Sequence, residues 1–155
     1  VYAVGDVTGG WMLSHAASAM GRVAAENIMG RRATFSSLAI PRGLWGVPEA
    51  ASVGLTQEQA EEEGGEVIVG EFPYAVNGLA MARNDVEGIV KIVSETRCGE
   101  ILGVHIVGPG ATELLGEALL AMQLESTAAE LGRGMRLHPT FSENLVDAAR
   151  TMLGG

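Results

Sequence analysis

The sequence predicts an α+β fold: an antiparallel sheet flanked by helices, preceded by a strand and helix that belong to a different unit. Three observations carry this. Val67 to Phe72, Gly88 to Ser94 and Ile101 to Val107 are rich in β-branched and aromatic residues, and Glu95 to Glu100 between the last two is short enough for a hairpin loop. After Gly108-Pro109-Gly110 the apolar spacing changes to that of a helix. Helices that follow and flank strands, without alternating with them, mark α+β in preference to a wound parallel sheet.

In chain order, Val1 to Val4 is a short apolar run closed by Gly5-Asp6 and reads as a strand. Leu13, Ala17, Met20, Ala24 and Ile28 then recur at helical spacing through an alanine-rich segment, Ser14 to Met29, with Gly30 placed to stop it. Arg31 to Gly46 breaks both periodicities with its Ser36-Ser37, Pro41 and Gly43, so a domain boundary is expected near Ser37, dividing residues 1–37 from 38–155. Ala51 to Gly54 reads as a short strand. Thr56 is placed to cap an acidic helix that ends at Gly64-Gly65, where the early carboxylates suit the positive helix end. Beyond the three β-rich runs, Leu114, Leu115, Ala118, Leu119, Met122 and Leu124 outline a buried helix, Thr127 to Leu131 a shorter one, and Thr140 to Met152 the last.

Composition narrows the function. With 155 residues the chain is long enough to bury a core. It carries a net charge of −9, and its ten Lys and Arg are scattered instead of forming a stripe, which argues against nucleic acid as a partner. No apolar run approaches the roughly 18 residues of a membrane span. Cys98 is the only cysteine, which excludes an internal disulfide and any multi-cysteine metal site and fits a reducing, cytoplasmic compartment. The chain opens inside an apolar run without a methionine, so it is expected to be a piece of a longer chain.

Two places have chemical potential. Gly5-Asp6 is either a plain turn or the carboxyl end of a strand in an open α/β sheet. In the second case Asp6 accepts from a sugar-like hydroxyl, and the helix start near Leu13 and Ser14 points N–H groups at an electron-rich ligand. His138 precedes Pro139 and a Thr140-Phe-Ser-Glu143 stretch that matches a capping box, in which Glu143 reaches back to the Thr140 N–H. The same Glu143 has a second reading, bonded to one imidazole nitrogen of His138 so that the other becomes a positioned general base. Both hold only if the two carboxylate oxygens divide the work. Cys98 reads as a surface thiol, His105 as a strand side chain and His15 as a packing residue at a helix start. No histidine, cysteine and carboxylate spacing suggests a metal site.

Taken together, VYAVGDVTGG with MLSHAASAMGRVAAENI, then PEAASVGLTQEQA, GLAMARNDVEGIVKIV, GEILGVHIVGPGATELLGEALLAM and HPTFSENLVDAA resemble, in order, the C-terminal part of the pyridine nucleotide-disulfide oxidoreductases, and most of all the dihydrolipoamide dehydrogenase branch. The resemblance implies that residues 1–37 end an FAD-binding domain and 38–155 form a dimerisation domain. It implies that Asp6 binds the ribityl chain of FAD, that Met12, Leu13 and Ser14 meet the isoalloxazine ring, that His138 is the acid/base and that Glu143 orients it. It also implies a homodimer, for which the helix from Gly110 to Leu124 and the terminal helix are the candidate interface elements, because their apolar faces are more extensive than one small sheet requires.

The reaction implied is oxidation of a dithiol, dihydrolipoamide free or on a lipoyl domain, with electrons passing through a redox disulfide and FAD to NAD⁺. This chain has no G-x-G-x-x-G motif and no cysteine pair. FAD and NAD are therefore expected in a full-length parent, and none in this chain alone, which is expected to be inactive. Arg136 stands where a second histidine is usual in the branch. Two alternatives stay open: a self-standing dimerisation module without catalytic duty, and the same enzyme class acting on glutathione or another disulfide.

Overall fold

The computed structural model describes residues 1–37 and 39–154. The expected second domain, 38–155, thus begins and ends on residues outside that set. Contacts divide the chain into two compact units, Val1–Ile40 and Pro41–Gly155.

In the first unit a single turn of 3-10 helix, Gly5–Thr8, precedes helix α1, Ser14–Ile28. The strand expected at Val1 to Val4 is not there. Val4 has extended dihedrals (φ −139°, ψ 152°), but among the described residues no neighbouring strand pairs with this segment. Extended backbone becomes a strand only when a ladder satisfies its N–H and C=O groups. The helical stripe is used only in part: Ala17 lies against Gly5, whose N–H points to the Met20 sulfur at 3.4 Å, while Ile28 is exposed. Asn27 closes the helix, donating to the Val23 and Ala33 carbonyls and accepting from the Ala33 N–H.

The second unit is built on a five-stranded antiparallel sheet in the order β1-β2-β5-β4-β3, formed by Arg42–Leu44, Ala50–Gly54, Val67–Pro73, Ile89–Glu95 and Ile101–Val107. β1, inside the segment read as irregular, is a three-residue edge strand that pairs Arg42 with Ser52 and Leu44 with Ala50. Its Arg-Gly-Leu sequence is too short to show a period. The β4–β5 hairpin expected at Glu95 to Glu100 is present, with a register shift at Val93/Ser94. Past that bulge the strand alternation stops, and Val93 and Ser94 are both buried.

Helices cover the sheet as their spacing requires. Helix α2, Gln57–Glu62, starts with a full capping box between Thr56 and Gln59. Helix α4, Ala111–Gln123, packs on β2 and β5 with Ala111, Leu115 and Ala118 buried. Helix α5, Ala128–Arg133, is capped reciprocally by Thr127 and Glu130. Helix α6, Glu143–Thr151, buries Leu145, Val146, Ala148 and Ala149 against β3, β4 and α5. It approaches β3 so closely that a Cβ at Gly70 would run into the Ala148 carbonyl. Like β1, one helix escapes the sequence reading: after a turn of 3-10 helix at Tyr74–Val76, helix α3 runs over Gly78–Arg83. At six residues it is too short to establish a helical period.

Candidate functional site

His138 and Glu143 come together in the loop that leads into α6. His138 Nδ1 lies 2.9 Å from Glu143 Oε1, and Glu143 Oε2 accepts the Thr140 backbone N–H at 2.8 Å. The two carboxylate oxygens thus divide the work, one on each partner. An ionised carboxylate can only accept, so Nδ1 carries a proton, and in the neutral ring Nε2 presents its lone pair. The imidazole is 76% exposed and Glu143 only 24%, so the base is presented while its orienting group is held. The Thr140 N–H, and then His138, hold the Glu143 carboxyl below the ordinary carboxylate range.

The capping box itself is only half formed. Thr140 Oγ1 donates to the Leu137 carbonyl at 2.7 Å and meets Ser142 Oγ at 2.9 Å, instead of accepting from Glu143 N–H. The helix expected from Thr140 therefore starts three residues later, at Glu143, with Ser142 at its N-cap and no side-chain cap bond. Leu137 to Ser142 forms instead a loop braced by its own hydroxyl groups, and it contains a cis His138-Pro139 bond. Arg136, just upstream, is ion-paired to Glu117 of α4.

Sequence reasoning missed what stands behind this loop. Tyr74 and Asn77 are buried, as is Asn144 in the first turn of α6. Asn77 Nδ2 donates to the Thr140 carbonyl at 3.0 Å and to Asn144 Oδ1 at 2.8 Å. Its Oδ1 accepts from the Leu79 and Ala80 N–H groups, capping α3. The Phe141 ring lies 5.5 Å from Tyr74 and 5.5 Å from the Arg83 guanidinium. An asparagine directly before Gly-Leu-Ala-Met-Ala-Arg was the available signal for the cap. Asn144, between Glu143 and Leu145, carried none.

Asp6, Met12, Leu13 and Ser14 lie in the first unit. Asp6 is exposed within the 3-10 turn, where its backbone carbonyl accepts the Gly9 N–H at 3.0 Å. Met12 is exposed, Leu13 is the N-cap of α1 and Ser14 its first residue. Leu13 supplies no side-chain cap to the first-turn N–H groups. His105 is a half-buried strand residue whose Nε2 lies 2.9 Å from the Leu55 carbonyl, and burial lowers its pKa. Cys98 is exposed in the hairpin loop. Among the described residues no group of three or more His, Cys, Asp or Glu is placed to hold a metal ion, and no helix is long and apolar enough to cross a membrane.

Comparison with known proteins gives one answer. Residues 40–149 match the pyridine nucleotide-disulphide oxidoreductase dimerisation domain. A dihydrolipoyl dehydrogenase of Geobacillus stearothermophilus is 40% identical over 154 residues, covering 99% of this chain and 33% of that protein. Another from Thermus scotoductus is 42% identical over 152 residues, covering 98% and 33%. The crystal structure of LpdA from Mycobacterium tuberculosis superimposes with a TM-score of 0.90 at 28% identity, over 97% of this chain and 33% of that one. An HOCl-induced flavoprotein disulfide reductase from Escherichia coli gives 0.88 at 26% identity, over 96% and 35%. The chain thus spans about a third of the length of the relatives it matches. The antiparallel sheet with its flanking helices, and a sequence likeness that runs through both units, place the chain in the pyridine nucleotide-disulfide oxidoreductase family, as the dimerisation-domain region of a dihydrolipoamide dehydrogenase-like protein.

Proposed function

We propose that this chain is the C-terminal part of a homodimeric, cytoplasmic flavoenzyme that oxidises a dithiol of the dihydrolipoamide type, and that His138 is its acid/base. The observation that carries this reading is the 2.9 Å contact between His138 Nδ1 and Glu143 Oε1 beside an exposed Nε2. A dithiol becomes a nucleophile only as its thiolate. Nε2 accepts the proton as the sulfur attacks a disulfide, and Glu143 stabilises the imidazolium that results. In the reverse direction His138 returns the proton.

Residues 1–37 belong, on this reading, to an FAD-binding domain. They fit the group: Asp6 is exposed for a ribityl hydroxyl, and α1, with Met12, Leu13 and Ser14 at its start, has first-turn N–H groups that no N-cap side chain meets. Asp6, Met12, Leu13 and Ser14 would hold FAD, which would supply the two-electron relay between a redox disulfide and NAD⁺. The chain's single cysteine cannot form that disulfide, so these 155 residues alone are inactive.

The test is His138→Gln in the full-length protein, assayed for NAD⁺ reduction by dihydrolipoamide. General-base catalysis is worth about a hundred- to ten-thousandfold, and a loss of that order in kcat with unchanged flavin content is expected. An unchanged rate would remove His138 from the mechanism. Glutathione disulfide, run in parallel, decides between the dithiol and the alternative substrate.

A further inference from the structure

We propose that Asn77 is a positioning residue for the His138–Glu143 pair, acting through a buried amide network that ties α3 to the loop and to the start of α6. This deepens the proposed function and rests on it for its catalytic consequence, although its structural content is independent. Asn77 is 4% exposed and uses both ends of its side-chain amide. One end caps α3 through Leu79 and Ala80; the other donates to the Thr140 carbonyl and to Asn144.

Thr140 is the hub of this arrangement. Its carbonyl is held by Asn77 and its N–H by Glu143, whose other oxygen holds His138. The imidazole is thus separated from a buried anchor by one residue and one carboxylate. Asn144 adds a second tie, because it directly follows Glu143 at the start of α6. Gly78, next to Asn77, lies against the ring: a Cβ there would stand 3.7 Å from His138 Cε1. Phe141, between Tyr74 and Arg83, clamps the same loop. The exposed imidazole has little packing of its own, so its orientation must come from below. Asn77 satisfies both ends of its side-chain amide, whereas Asn144 Nδ2 is buried without a hydrogen-bond partner among the described residues, and a buried amide pair positions its neighbours because breaking it is costly.

Asn77→Ser separates the two duties. Serine caps a helix about as well as asparagine but is too short to reach Thr140 or Asn144. Long-range ¹H–¹⁵N spectra of the 155-residue chain read the tautomer of His138. The unmodified chain should show the proton on Nδ1. Asn77→Ser should move the ring toward the free-imidazole mixture, in the same direction as Glu143→Gln, with α3 still folded. A variant spectrum that keeps the unmodified tautomer while Glu143→Gln loses it overturns the proposal.

Should Asn77→Ser not fold, the unmodified chain still decides. The Asn77 side-chain amide protons should be protected from exchange and shift with the His138 titration. Unprotected, unshifted protons overturn the proposal as surely. In the full-length holoenzyme, Asn77→Ser should lower kcat by roughly tenfold and leave KM nearly unchanged, within the range misplacement of a catalytic group can cost. If His138→Gln is without effect there, the catalytic reading fails. If it is severe and Asn77→Ser is silent in both tautomer and kcat, the positioning role fails alone.

Discussion

Glu143 illustrates how one side chain serves two ends. Its carboxylate stabilises the loop through the Thr140 N–H and orients His138 with the other oxygen. Both bonds favour the ionised form, so its folded pKa lies below the ordinary value of 4.5. A depressed carboxyl pKa contributes stability that is fully present above the unfolded value and is lost as pH falls through the folded one. Glu143→Gln should therefore destabilise the fold by about 1 kcal/mol at neutral pH, the size of a typical intramolecular hydrogen bond. The difference should close in acid, below both pKa values. Urea denaturation at pH 7 and in acid measures it, and a gap that stays constant with pH would show that the charge is irrelevant.

At the scale of an element, the β4–β5 hairpin depends on a single carboxylate. Glu95 accepts from the Cys98 thiol and from the backbone N–H groups of Arg97, Cys98 and Gly99, which holds its pKa down to about 2. The same interaction raises the Cys98 thiol above its usual value. The reactive species is the thiolate, so Cys98, though exposed, should be slow to alkylate. Glu95→Gln removes the negative acceptor and should speed iodoacetamide labelling of Cys98 a few-fold near pH 8. Equal rates in the two proteins would mean that the thiol does not feel Glu95. Elements also differ in how their apolar faces are used. α6 spends its face on β3, β4 and α5, while α4 leaves Leu120 and Leu124 exposed.

For the whole molecule, that difference bears on assembly. Of the two helices expected at a dimer interface, α4 has the apolar surface to spare. The loop before His138 adds Met135 and Leu137, at 93% and 80% exposure. Burying such surface contributes roughly 25 cal/mol per Å². The proposed homodimer should appear in sedimentation equilibrium at micromolar concentration. Leu120→Asp combined with Leu137→Asp should weaken it by at least about tenfold, or 1.4 kcal/mol. A chain that is monomeric before any substitution would refute the homodimer.

The sequence by itself determined the elements whose signal is local and long enough to read. The runs in β3, β4 and β5 alternate or are densely β-branched, α1 and α4 repeat at helical spacing, and Thr56 stands at a capping position. It also brought His138 and Glu143 into one reading, because the two lie five residues apart on either side of a proline. Tertiary structure alone decided the remainder. Val1 to Val4 has strand residues but no ladder among the described residues, since pairing is a property of neighbours and not of a segment. How Glu143 divides itself between cap and dyad needed the position of each carboxylate oxygen. Asn77 and Asn144 lie 67 residues apart, and only the packing of α3 beneath the loop makes them one network. Their polarity in sequence points to solvent, and their burial follows from the partners that folding supplies.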